Sequence, residues 1–224
     1  MISPITPEYQ PQHPLSMSRG ARAADWFQSN ARAVGIAGAI VVLGGLGALG
    51  YRWNQAAKAQ RAETALYQAQ ATAGASGDVR QVERSLRDVA TRYAGTPGGV
   101  QAQLLLAQSL YDAGRYQDGI AVLARGQVPA EFAEAVQLLT AAGREGLGQG
   151  RDAARIYETL AGRPNLPMRR RDELRAAAAR AYVLGNDRAS ALRLWRGILA
   201  SGTGPLADEA RIRIGELSAA GERG

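Results

Sequence analysis

The sequence predicts an all-α chain: one N-terminal membrane-spanning helix followed by a solenoid of about three to four helix pairs. Three observations carry that expectation. A run from Ala33 to Tyr51 holds no charged residue. Beyond it, apolar residues recur at helical spacing between Gly, Pro and Asp punctuation, with no strand-like alternation. The later part of the chain also repeats itself at an interval of 34 to 38 residues.

Residues 1–20 read as a disordered tail, because Pro4, Pro7, Pro11 and Pro14 interrupt any helical ladder among polar residues. Residues 21–54 read as the spanning helix with its flanks, the core being 33–51, AVGIAGAIVVLGGLGALGY. At about 1.5 Å per residue this core is roughly 28 Å long, close to the hydrocarbon thickness of a bilayer. Trp26 and Phe27 precede it, Tyr51 and Trp53 follow, and Arg32 and Arg52 border it, as suits headgroup depth at both ends. A cleaved signal peptide, with Ala57-Lys58-Ala59 as its processing site, and a buried core helix are the competing readings. The length of the run, the long segment before it and the charged, glycine-rich character favour an anchor. Gly35/Ala39 and Gly44/Ala48 have small-xxx-small spacing and are the candidate packing face against another membrane helix. Arg19, Arg22 and Arg32 on one side balance Arg52, Lys58 and Arg61 on the other, so charge alone does not orient the span.

Residues 55–219 read as the helical domain and 220–224 as a disordered end. Helices are expected over 55–73, 79–93, 98–113, 116–125, 130–147, 150–161, 168–184, 187–200 and 205–219. Asp78 and Gln81 have capping-box spacing. Thr96-Pro97 offers a cap and a first-turn proline, and Pro129, Pro167 and Pro205 open later helices. The repetition is clearest in LLLAQSLYDAGRYQDGIAVL (104–123), LLTAAGREGLGQGRDAARIY (138–157) and AAAARAYVLGNDRASALRLW (176–195). Small residues pair twelve apart in each copy: Ala107/Gly119, Ala141/Ala153 and Ala179/Ala191. A large apolar residue follows four further on, Leu123, Tyr157 or Trp195. This is the tetratricopeptide pattern: the small residues let two antiparallel helices cross closely, and the large one fills the groove against the next repeat.

Composition narrows the function. The chain of 224 residues has no cysteine and one histidine, His13, which leaves no thiolate chemistry, disulfide, Cys/His metal site or catalytic triad. The carboxylate pairs Asp172/Glu173 and Asp208/Glu209 are adjacent on helices and so point apart, each near a helix start where acids suit the dipole. No enzyme activity, metal or cofactor is expected. The net charge is +7, and every basic residue except Lys58 is arginine. The arginines alternate with acids, as in DVRQVERSLRDVATR, so they read as solvated helix faces and not as a nucleic-acid stripe. Met168–Arg171 is a candidate for anionic lipid or phosphate, against the simpler reading of a solvated linker.

The whole arrangement is a tail, DWFQSNARA, a span, GYRWNQAAKAQRAETALYQAQ and degenerate tetratricopeptide repeats. Over about residues 24–217 it resembles the YfgM-like ancillary subunits of the bacterial SecYEG translocon. The resemblance implies an inner-membrane protein with a cytoplasmic tail and periplasmic repeats. It implies protein partners: the Sec translocon, periplasmic folding factors including a membrane-anchored prolyl isomerase, and exported clients. The arginine-rich repeat surface and the proline-rich tail depart from that family's more acidic or neutral character.

The expected function is therefore a non-enzymatic, membrane-anchored adaptor or chaperone. The alternative is a structural accessory subunit of another envelope complex (cell-division, Tol-type or bioenergetic), docked through the glycine-rich span. In repeat register, the first helices should present Gln101, Leu104, Gln108, Tyr111 and Asp112 to a partner. Leu138 and Glu145 follow in the second copy, with Ala176, Arg180 and Val183 in the third. That mixture suits tolerant contact with extended or partly folded chains. The lysine/asparagine clamp of carboxylate-binding repeats is absent.

Overall fold

The computed structural model describes residues 53–71, 78–202 and 205–221. The predicted tail, the predicted span core and its packing positions Gly35, Ala39, Gly44 and Ala48 lie outside the described residues. The chain divides into two compact units between Asn54 and Gln55, and the helix pairs belong to the second. No helix among the described residues is long and apolar enough to cross a membrane.

All regular structure among the described residues is helical. The helices are α1 (53–71), α2 (Val79–Arg92), α3 (Pro97–Asp112), α4 (Tyr116–Leu123), α5 (Ala133–Gly146), α6 (Gly150–Ala161), α7 (Met168–Leu184), α8 (Arg188–Ser201) and α9 (Pro205–Gly221). From α2 onward each packs mainly on its neighbours in sequence, and α3 also meets α5 as α7 meets α9. Contacts of that order are what stacked helix pairs make.

Helix starts follow local chemistry. The Asp78 carboxylate accepts from the Arg80 amide at 2.9 Å. Thr96 Oγ1 accepts from the Gly99 amide at 3.2 Å, with Pro97 in the first turn. Asp187 Oδ1 accepts from the Ser190 amide at 3.1 Å. Each side-chain oxygen satisfies an amide that the first turn leaves without a partner. The predicted helix 130–147 differs: it opens as a 3₁₀ turn, Ala130–Phe132, before α5 begins. Neither Pro129 nor Phe132 carries a capping side chain, so the chain closes its first turn through Phe132 N–H to Pro129 C=O, 3.0 Å. At the other end of the domain, α9 reaches Gly221, past the predicted boundary at 219.

The turn inside each helix pair is built three times over. Gly114 and Gly148 both have φ +73°, and Asn186 has φ +54°. They stand 34 and 38 residues apart, the same steps as the small-residue pairs. In each turn the next amide reaches back to the helix: Arg115 to Leu110 C=O at 2.7 Å, Gln149 to Arg144 at 2.8 Å, Asp187 to Tyr182 at 2.8 Å. This six-residue closure with a left-handed residue is the Schellman stop, for which glycine or asparagine is favoured.

The core falls into two clusters. One joins Leu66, Leu86, Val89, Leu106 and Leu110 from α1 to α3. The other runs through α5 to α9 around Trp195, which is fully buried. Its middle helix, α7, packs against α6, α8 and α9 and buries Ala176, Ala178, Ala179 and Ala181. Alanine there keeps three neighbouring helices close.

Candidate partner-binding surface

The six small residues of the repeat pattern are all buried: Ala107, Ala141, Ala153, Ala179 and Ala191 have no exposed surface, and Gly119 is buried with them. A methyl group added at Gly119 would stand 3.1 Å from the Ala107 carbonyl oxygen and would strike the Tyr111 ring. The crossing of α3 on α4 is therefore as close as backbone and one aromatic ring permit. Leu123, Tyr157 and Trp195 are buried at the following position.

Seen from solvent, the first helix of a pair presents a stripe. On α3, Gln101, Leu105, Gln108 and Asp112 are exposed, at spacing i, i+4, i+7 and i+11. Leu105 is 39% exposed, although it was not among the expected residues. Leu104, which was, is only half-buried. On α7 the exposed residues toward the C-terminal end are Arg180, Val183 and Leu184. Ala176 sits in the core and so does not belong to a binding face. Leu138 is half-buried against the second core cluster.

Tyr111 also has a different role from the expected one. Its ring fills the space between Gly119 on α4 and Gly143 on α5, tilted against Tyr116 at a centroid distance of 5.6 Å. Its hydroxyl is buried without a hydrogen-bond partner among the described residues, and burial pushes its pKa up to about 12. Tyr111 is thus a wedge that sets the spacing of successive repeats. The signal that could have shown this was Gly143, 32 residues further on, in the facing helix.

Glu145 and Arg180 meet through the helix between them. Tyr157 on α6 and Arg180 both lie near enough to favour the ionised form of Glu145. Burial raises the Glu145 pKa, against the lowering effects of Tyr157 and Arg180. The Arg180 guanidinium also donates to Glu209 on α9 at 3.1 Å. Arg180 therefore ties α7 to α9, with Glu145 of α5 within its electrostatic reach.

The other cationic candidate is satisfied internally. Arg169 and Arg170 donate to Glu173 at 3.2 and 3.4 Å, Arg170 to Glu134 at 2.7 Å, and Arg171 to the Leu166 carbonyl at 3.3 Å. The carboxylate pairs are likewise occupied: Asp172 accepts from Ser201 and Arg175, and Glu209 from Arg180. Among the described residues no group of three or more His, Cys, Asp or Glu side chains is placed to hold a metal ion.

Residues 24–141 match the family described as Tetratricopeptide repeat-like domain. No curated protein and no solved structure matches the chain.

Proposed function

Because the chain belongs to the Tetratricopeptide repeat-like domain family, we propose that it is a protein-interaction adaptor, tethered to the bacterial inner membrane by residues 33–51. Domains of this kind are typically scaffolds for protein partners. The observation that carries the reading is the exposed stripe Gln101, Leu105, Gln108 and Asp112 on α3, a helix packed against α2 and α4. Apolar and amide groups side by side, without a fixed pocket, accept extended chains of varied sequence.

The finer reading places the repeats on the periplasmic side, next to the Sec translocon, with exported proteins or folding factors as partners. It is supported by the uncharged, glycine-rich run and by the resemblance of the flanking segments. Tethering raises the local concentration of the stripe near emerging chains, so weak contacts suffice. Photo-crosslinking in native membranes tests it, with probes at Val41 in the span and Gln108 in the stripe. The reading expects adducts from Val41 to Sec channel helices and from Gln108 to exported proteins or a folding factor. Adducts from Val41 to another complex, with Gln108 silent, would overturn it in favour of a structural accessory subunit.

A further inference from the structure

A second concave feature lies between α2, α3 and α4, on a different face of α3 from the stripe. At about 100° per residue, Leu106 and Gln103 stand roughly 140° and 200° round the helix from Gln101. The cavity measures about 190 Å³ and has an apolar floor of Ala90, Leu106 and Val122. Arg87 and Arg125 line it as well, and the lining contains no acid. Both arginines are exposed, and neither side chain has an ion pair among the described residues.

That combination sets this cavity apart from the others that hold arginine; the one at Arg61 also lacks an acid, but no leucine, isoleucine or valine lines it. Arg169 lines one together with Asp172 and Glu173, and Arg84 and Arg92 line another together with Asp88. In those places Glu173 pairs with Arg169 and Asp88 with Arg92. Here the chain removes negative character instead. Gln103, 7% exposed, donates its side-chain amide to the Val122 carbonyl at 2.6 Å and the Arg125 carbonyl at 2.9 Å. The Val122 oxygen belongs to the last turn of α4 and the Arg125 oxygen follows just past its end, the end of a helix that repels anions. Their pairing with Gln103 fixes the segment that carries Arg125 and lessens that repulsion.

We propose that this cavity docks an acidic peptide segment carrying one branched aliphatic residue. The aliphatic side chain enters between Ala90, Leu106 and Val122. Carboxylate side chains on either side of it meet Arg87 and Arg125. Charge complementarity selects the occupant, because an apolar floor flanked by two arginines without acids favours that peptide over a neutral or basic one. The site is separate from the first-helix stripe and stands or falls independently of it.

The test is fluorescence anisotropy on the full chain in nanodiscs, with three short labelled peptides. One has a single leucine among glutamates, one replaces the glutamates by glutamines, and one replaces the leucine by serine. Saturable binding of the first is expected, with at least about tenfold weaker binding of each of the others. Arg87→Gln together with Arg125→Gln should weaken the first peptide by at least about tenfold while leaving the thermal midpoint unchanged. Leu105→Asp, in the stripe, should leave its affinity as it is. No saturable binding, equal affinity for the leucine and serine peptides, or unchanged affinity in the double variant would overturn the proposal. Loss of binding in Leu105→Asp alone would overturn it too, and would assign the peptide to the stripe.

Discussion

Tyr111 concentrates what single residues contribute to this fold. Its ring occupies the gap left by Gly119 and Gly143, while its hydroxyl is sealed off without a partner among the described residues. An unpaired buried hydroxyl costs about 1–3 kcal/mol, so Tyr111→Phe keeps the packing and removes the cost. The expected result is a variant at least as stable as the parent in urea unfolding, and a clear loss of stability would show that the hydroxyl is bonded in solution. Gly150 gives the opposite case. A methyl group there would collide with the Ala181 carbonyl and approach the Gly185 Cα to 3.0 Å, so backbone and not a movable side chain blocks it. Gly150→Val should therefore cost about 1–3 kcal/mol or more, read from the same unfolding curves. The small-residue pairs were legible in the sequence because both members lie within one repeat. The role of Tyr111 was not, because its second contact comes from the next repeat, and helical spacing alone suggested an outward-facing ring.

Helices in this chain begin and end by side-chain and turn chemistry that is largely local. Asp78, Thr96-Pro97 and the helical spacing of apolar residues placed α2 and α3 within a residue or two. The 3₁₀ entry to α5 was not legible, since it reflects a missing cap. Asp187 shows the energetic weight of a cap. Its carboxylate pKa is lowered, first by the backbone hydrogen bond from Ser190 and then by the Ser190 hydroxyl. A lowered acid pKa means stability that is present above the unfolded carboxylate value and lost as pH falls through the folded one. Asp187→Ala should cost about 1 kcal/mol near neutral pH and less in acid, which melts at two pH values will separate. The tyrosines report the alkaline side. Tyr111, Tyr157 and Tyr182 rise from 10.0 to about 12, chiefly through burial. Their contribution is full below pH 10 and is lost as pH climbs through about 12. Thermal midpoints should drop over that interval as tyrosinate absorbance appears, and a flat profile would contradict the burial of these hydroxyls.

At the scale of the molecule, repetition organises both fold and surface. The 34- and 38-residue steps recur in the buried pairs and in the left-handed turns Gly114, Gly148 and Asn186. The turn positions were in the sequence too, but asparagine in the third copy hides their equivalence until the backbone angles are known. Cross-helix ion pairs such as Arg115 with Glu83 at 3.0 Å and Arg193 with Glu158 at 2.9 Å absorb part of the arginine excess. They are partly exposed, so their value lies more in orientation than in stability. The exposed stripe was legible only in outline: Gln101, Gln108 and Asp112 are exposed as expected, but it passes through Leu105 and not Leu104. A one-residue shift is within what periodicity near 3.6 leaves open on a helix packed from several sides.

The central claim is that partners engage the first helices of the repeats. It is tested most directly by placing a photo-reactive residue in turn at Gln101, Leu105, Gln108 and Asp112. Ala121, Arg155 and Arg196, exposed on the second helices α4, α6 and α8, serve as controls in the same full-length protein in native membranes. Protein adducts from the four stripe positions, with the controls silent, are the predicted result. Adducts from the second-helix positions with a silent stripe would contradict it.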